Sequence, residues 1–264
     1  MKTWLMAAGL MAGVAWAGEP AAQVHVIEQR DAKSGRVEVA LFPAAVQLNG
    51  QFTQHVGTFG SVTWHLRERF ALQVLGGGNW HNVESNFNAM LVENYRVEAQ
   101  SSASLLWTWG VFGGVEVEPF AAKFTLFNGP LAHFGVVLSG GLGAGGTRHQ
   151  LKPQTTTPAS YGDTGARFMG TLAAGFRLSL GKHFTARAEV RDVVYSARIE
   201  QVNGCTRADA DAPNLIDPGT APSGQCREFE RDIDRTLAFS LLKLDPNSSV
   251  LNNVGLYLGA GFIF

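Results

Sequence analysis

Charged residues are scarce in this chain of 264 residues. Lys, Arg, Asp and Glu together account for 16% of the sequence and hydrophobic residues for 45%, whereas a typical soluble domain carries about 25% charged residues. The formal net charge of −1 leaves no basic excess to neutralise phosphates, which argues against a nucleic-acid partner. With so little charge and 31 glycines, the chain is not expected to face water over its whole surface.

Long apolar runs are also missing, except for one at the N-terminus. Residues 4–17 are apolar, follow the positive start Met1-Lys2, and end in Ala15-Trp16-Ala17. This run is too short for a transmembrane helix, which needs about 20 residues. It has the layout of a secretory signal peptide, so we predict that residues 1–17 are removed on export and that the mature chain starts near Gly18.

Only two cysteines occur, Cys205 and Cys226, and they do not form the C-x-x-C pair that redox catalysis uses. In an oxidising compartment, an even pair of this kind predicts a structural disulfide. Closing a loop of about 20 residues in this way contributes roughly 3 kcal/mol by the chain-entropy estimate.

The chain lacks the spacing of a metal, nucleotide or catalytic site. Its seven histidines show no i, i+4 pairs, and no His stands near a Ser or Asp in a pattern above chance. Residues 141–146 match G-x-G-x-x-G, but a loop follows them instead of the helix that would bind a pyrophosphate. We therefore predict no cofactor, no metal and no catalytic residue. Five aspartates are spaced too irregularly for calcium and favour a solvated acidic loop: Asp209, Asp211, Asp217, Asp232 and Asp234.

What the chain does contain is a period-two alternation of apolar and small residues, clearest in residues 252–264. This segment resembles the C-terminal β-signal of bacterial outer-membrane barrels, which the barrel-assembly machinery recognises. The resemblance implies that the machinery is a partner and that Leu258, Phe262 and Phe264 act as the assembly signal.

The same alternation predicts seven further strands, for a total of eight. Short turns are expected near residues 67–69, 128–130 and 181–183, and long loops near 81–112, 147–165 and 201–250. Short turns on one rim and long loops on the other are typical of outer-membrane proteins. We predict an all-β fold, an eight-stranded antiparallel up-and-down transmembrane β-barrel over residues 37–264, with periplasmic turns, extracellular loops and a periplasmic N-terminal segment at 18–36.

A soluble barrel of the lipocalin kind would bury the apolar face, and alternation alone does not exclude it. Two features favour outer-membrane lipid instead. The polar face consists largely of small residues, which suit a narrow lumen. Aromatic residues bracket the short turns on the apolar face and predict an interfacial girdle formed by Trp64, Phe70, Phe134 and Phe184.

An eight-stranded barrel is just wide enough for its own side chains. Charges withdrawn from water persist only when they are paired. We therefore expect Glu38 and Glu189 to be neutralised by basic groups in a packed lumen, with a narrow cation-repelling channel as the alternative. The predicted lumen charges are Glu38, Lys123, Arg177, Arg187, Glu189 and Arg191.

Three segments resemble the small outer-membrane β-barrel domain family first defined in myxobacteria. They are residues 24–49, where a polar stretch leads to Glu38; residues 62–77, with an aromatic residue and a His before the turn; and residues 115–145, with Pro119 and Lys123. With the C-terminal strand, the likeness covers most of residues 24–264. It implies a barrel, but members are mostly of unassigned function. Ala121-Ala122 and the cysteine-bearing loop depart from the family pattern.

The sequence therefore predicts a non-enzymatic component of a Gram-negative cell envelope. Its long loops are the expected contact surface for a partner, and a short helix is expected within residues 86–100. Residues 18–36 form a tether that contacts a periplasmic or envelope protein in this interpretation. The alternatives are a narrow small-solute pore and a lipid-acting enzyme of the outer membrane.

Overall fold

The chain forms a closed antiparallel β-barrel of eight strands. The computed structural model describes residues 33–50, 52–87, 90, 105–125, 131–151, 160–212, 221–244 and 249–264. Each strand pairs with its neighbour in sequence, and the last strand pairs with the first. The predicted fold class is confirmed. The barrel strands are β1 Val37–Gln47, β2 Thr53–Arg67, β3 Phe70–Glu84, β4 Leu105–Thr125, β5 Leu131–Gln150, β6 Tyr161–Leu180, β7 Phe184–Ser196 and β10 Val250–Ile263.

Closure depends on pairing β1 with β10 from Glu38–Ile263 to Gln47–Gly255. The register of β1 shifts against both neighbours around Pro43. Proline has no backbone N–H to give to a ladder, so a bulge at this position costs the sheet least. The ladder is completed by the terminal residue, whose backbone N–H donates to the Val37 carbonyl at 2.9 Å.

The two ends of the barrel differ. We call the end with the turns at 68–69 and 181–183 the turn rim, and the opposite end the loop rim. Strands extend further toward the loop rim than the sequence predicted, since β4 starts at Leu105 and β3 runs to Glu84. The expected loops at 81–112 and 147–165 are correspondingly shorter. The expected turn at 128–130 lies outside the described residues, as does most of the expected helix at 86–100.

The outer surface of the barrel is apolar. Leu41 and Phe176 are 55% and 53% exposed, whereas their neighbours Ala40 and Arg177 are buried in the lumen. The predicted girdle residues Trp64, Phe70 and Phe184 are exposed beside the turn rim, and Phe134 stacks on Phe176. A second aromatic belt, which the sequence analysis did not identify, lies toward the loop rim and comprises Trp80, Trp109 and Phe168.

The spacing of the two belts matches a bilayer. On the outward face of β6, Phe168 belongs to the belt near the loop rim. Leu180 lies at the level of the girdle near the turn rim, because it pairs with Phe184. Twelve residues of strand cover about 40 Å, or about 28 Å along the normal at a 45° tilt, close to the apolar height of an outer-membrane barrel. None of the helices in the described part of the chain is long and apolar enough to cross a bilayer.

The predicted signal peptide, and most of the predicted tether at 18–36, lie outside the described residues. The last four residues of the predicted tether, 33–36, are hydrogen-bonded to the turn rim. The Gly35 N–H donates to the His65 carbonyl at 2.7 Å, and Arg36 Nε donates to the Phe264 carbonyl at 3.0 Å. The end of this segment is therefore hydrogen-bonded to the turn rim, and it lies outside the regular strands and helices, as the sequence predicted for the tether.

The long connection between β7 and β10 is folded, where the sequence analysis expected only a loop. It contains the hairpin β8 Gln201–Val202 with β9 Cys205–Thr206, then α1 Arg207–Asp211 and α2 Asp232–Lys243. We call residues 197–212 and 221–244 the cap module. Its apolar side chains, including Val202, Ala238 and Leu242, belong to the same buried cluster as barrel residues. The module is therefore packed onto the loop rim.

A disulfide joins Cys205 to Cys226 inside the cap module, as predicted. The predicted solvated acidic loop is wrong for two of its aspartates. Asp234 is buried and lies 2.9 Å from Arg231 Nε. Burial alone would raise the pKa of Asp209, but hydrogen bonds from Thr206 and Ser223 outweigh it and lower the pKa below its ordinary value. Asp211 and Asp232 are exposed, and Asp217 lies outside the described residues.

Candidate functional site

The half of the lumen next to the turn rim holds a buried network of charged side chains. Seven of its residues occupy inward positions on β1, β4, β6 and β7, because every second residue of a strand faces the interior, and the eighth, Lys33, precedes β1. We call this group the lumen network: Lys33, Glu38, Glu116, Glu118, Arg177, Arg187, Glu189 and Arg191.

Arg187 is the centre of the lumen network. Its guanidinium lies 2.6 Å from Glu189 Oε1 and 3.4 Å from Glu38 Oε1, and it also contacts Glu116. The planar fork of an arginine can satisfy several carboxylates at once, which a lysine cannot do. One fully buried cation thus joins acidic residues from three strands.

Two further arginines complete the pairing. Arg177 lies 3.1 Å from Glu38 and 3.2 Å from Glu118, and Arg191 lies 2.8 Å from Glu189. Further polar side chains contact these charged groups, while Arg177 Nε and Arg191 Nε are buried with no hydrogen-bond partner. The Thr185 hydroxyl donates to Glu38 at 2.9 Å, His65 Nε2 lies 3.2 Å from the same carboxylate, and Arg191 donates to Thr171 and Ser139 at 3.2 Å.

The lumen network is electrically balanced, with four acidic and four basic side chains among the described residues. Glu116 and Glu118 were not among the predicted lumen charges, so the predicted set had a cationic excess. The structure also corrects Lys123, which pairs in register with His133 but is exposed near the turn rim. Lys33 takes its place, with its ammonium 2.9 Å from Glu118.

The half of the lumen toward the loop rim is filled by aromatic residues, which the sequence analysis did not expect there. Phe59 is central, with its ring 5.2 Å from Trp107 and 5.4 Å from Tyr257. The guanidinium of Arg191 lies 5.7 Å from the Tyr257 ring, so the two layers are in contact. We call the group the aromatic plug: Phe42, Phe59, Trp107, Phe112 and Tyr257.

The histidines near the two rims have structural partners. His55 Nε2 accepts a hydrogen bond from the Trp107 N–H at 2.9 Å, so its proton is on Nδ1, which lies 2.6 Å from Gln47 Oε1. His183 stacks on Phe262 and lies 2.9 Å from the Ile263 carbonyl. In the described part of the chain, no cluster of three His, Cys, Asp or Glu residues is arranged to hold a metal ion.

The fold and the lumen define a small antiparallel barrel with a lipid-compatible surface and a filled interior. No family model matches the chain, and no curated protein matches it. Among solved structures, it is similar to the N-terminal β-barrel domain of OprF from Pseudomonas aeruginosa, at 13% identity, a TM-score of 0.39, and 88% and 98% coverage of the two chains. It is also similar to Ail of Yersinia pestis, crystallised with the heparin analogue sucrose octasulfate, at 9% identity, a TM-score of 0.35, and 88% and 99% coverage.

Proposed function

We propose that this chain is an integral outer-membrane protein that holds the cap module at the cell surface as a structural or partner-docking component of the envelope. The apolar surface between two aromatic belts supports a position in lipid. The turn rim then faces the periplasm and the cap module faces outward. A rigid barrel that presents a folded, disulfide-closed module is suited to recognition.

The observation that carries this proposal is the filled lumen. The lumen network and the aromatic plug are stacked in series, and Arg177, Arg191, Phe42, Phe59 and Phe112 are all at most 2% exposed. Opening a passage would require breaking buried ion pairs or unpacking the plug, each of which costs several kcal/mol. This favours a closed scaffold over the small-solute pore.

The side chains near the rims also favour a protein without enzymatic activity. Both ring nitrogens of His55 lie within hydrogen-bonding distance of other groups, a backbone N–H and an amide oxygen, so neither is available for proton transfer. His183 is engaged by the backbone of the last strand. These contacts argue against a catalytic role for His55 and His183 in a lipid-acting enzyme.

The proposed partners follow from the two ends of the protein. The outward position of Leu258 and Phe264 suits recognition by the barrel-assembly machinery, together with Phe262. Membership of the small barrel family of myxobacterial type remains part of this proposal, as does a periplasmic or envelope protein bound through the N-terminal segment.

Planar-bilayer recording tests the closed lumen. Purified protein inserted at known density should give no reproducible ohmic conductance, while a general porin in the same bilayer conducts. Because each charged side chain of the lumen network is buried beside an oppositely charged partner, raising the salt concentration should not open it. Steps of constant size that scale with salt concentration would overturn the proposal and favour the pore.

A further inference from the structure

A groove opens on the outside of the barrel wall, between the loop-rim ends of β4, β5 and β6 and the β8–β9 hairpin of the cap module. Its volume is about 870 Å³, and its lining includes several small residues, among them Gly146 and Gly165. A Cβ on Gly146 would overlap the Trp109 indole, and one on Gly165, where φ is +83°, would overlap the Gln201 amide. These two glycines allow both walls of the groove to approach the barrel surface closely.

The groove carries more positive than negative charge. Arg148 and Arg227 line it, against the single carboxylate of Asp163. Arg148 lies over the Tyr161 ring at 3.8 Å, and its Nη2 donates to the Asn82 carbonyl at 2.7 Å and to the Asn82 side-chain oxygen. Its Nε is buried with no hydrogen-bond partner. Neither arginine takes part in the ion pairs found among the described residues. Two guanidinium groups without carboxylate partners in one groove are suited to a phosphate.

The uncharged lining is suited to a sugar. Trp109 presents an indole that is 45% exposed, which offers a flat apolar wall. The carboxamides of Gln201, Asn203 and Gln225 also line the groove and can donate and accept hydrogen bonds, although Asn203 Oδ1 already accepts one from the Asp163 N–H at 2.8 Å. An apolar wall with a few convergent polar groups is typical of a small-molecule site.

The height of the groove indicates where this ligand comes from. Trp109 belongs to the aromatic belt near the loop rim, and such belts lie at the level of lipid headgroups. We propose that the groove binds the phosphorylated saccharide headgroup of an outer-leaflet glycolipid. The inference rests on the membrane position proposed above, but headgroup binding and conductance are separate measurements, so either can fail alone.

The test uses isothermal titration of the full mature protein in detergent with deacylated, phosphorylated lipopolysaccharide core oligosaccharide. Arg227→Ala should weaken binding about tenfold, as expected when one charge-assisted hydrogen bond is lost. Arg227 is exposed, so the variant should fold normally. Arg207→Ala is the matched control, because Arg207 is an exposed arginine of the same module that does not line the groove.

Three further ligands distinguish the sources of the binding energy. The dephosphorylated oligosaccharide should bind at least tenfold more weakly, and inorganic phosphate should not compete at equal concentration. The proposal is overturned if both oligosaccharides bind equally, or if Arg207→Ala weakens binding as much as Arg227→Ala. Effective competition by inorganic phosphate would replace the glycolipid with a free anion, and binding of intact lipopolysaccharide alone would assign recognition to the acyl chains.

Discussion

Replacing Arg187 with Met is expected to destabilise the barrel by about 3–5 kcal/mol, as is typical when one partner of a buried ion pair is lost. The substitution removes the cation shared by Glu38, Glu116 and Glu189 and leaves the lumen network with a net negative charge. The free energy of unfolding can be measured by urea titration of protein refolded into lipid vesicles. Lys123→Met is the matched control and should cost at most about 1 kcal/mol, because this lysine is exposed.

A second substitution separates charge imbalance from lost packing. Adding Glu116→Gln to Arg187→Met restores electrical balance while keeping the shape of the side chain at position 116, so a large part of the lost stability should return. Arg177 retains Glu38 and Glu118 in this double variant. If Arg187→Met costs no more than Lys123→Met, the lumen is hydrated and the closed scaffold is wrong.

Placing an arginine on the outer surface should destabilise the protein according to depth. Leu138 pairs with Ala174, which is midway between Phe168 and Leu180 along β6. Leu138→Arg should therefore cost about 2–4 kcal/mol in vesicles, and Leu180→Arg, at the level of the turn-rim girdle, about 0–1 kcal/mol. The two leucines are matched, at 42% and 41% exposed.

The two losses of stability are measured by folding both variants in vesicles and comparing their unfolding curves. The depth dependence arises because a guanidinium near a belt can reach the headgroups, whereas one at the midplane cannot. Equal penalties at the two positions would mean that water, and not hydrocarbon, surrounds the barrel.

Strand number and the direction of each face were predictable because a period of two is visible in the residues themselves. Glu38, Arg177, Arg187, Glu189 and Arg191 were assigned to the lumen by this parity, and the structure places them there. The same parity would have found Glu116 and Glu118, which alternate with Val115 and Val117. They were nevertheless not among the predicted lumen charges, although both lie beyond the predicted loop at 81–112.

Other features depend on contacts between distant parts of the chain. Phe42, Phe59 and Phe112 lie on inward positions. Aromatic residues also form the outer belts, so residue type alone favoured an outward position for these three. In the cap module, α1 has five residues and each strand of the β8–β9 hairpin has two, which are too brief to give a periodic signal. The groove combines residues from β4, β5, β6, β8, the turn after β8 and the segment around Arg227, so no local motif indicates it.

A spin label on Ala174→Cys tests the central claim, that the apolar face points into lipid and the polar face into the lumen. Ala174 is exposed between Leu138 and Val190, whereas its neighbour Ala173 pairs with Ser139 and Arg191 on the inner face. We expect the label at position 174 to collide frequently with oxygen, which concentrates in hydrocarbon, and rarely with a water-soluble nickel complex, while Ala173→Cys in the folded protein resists labelling. Frequent collisions of the label at position 174 with nickel, together with ready labelling at position 173, would contradict it.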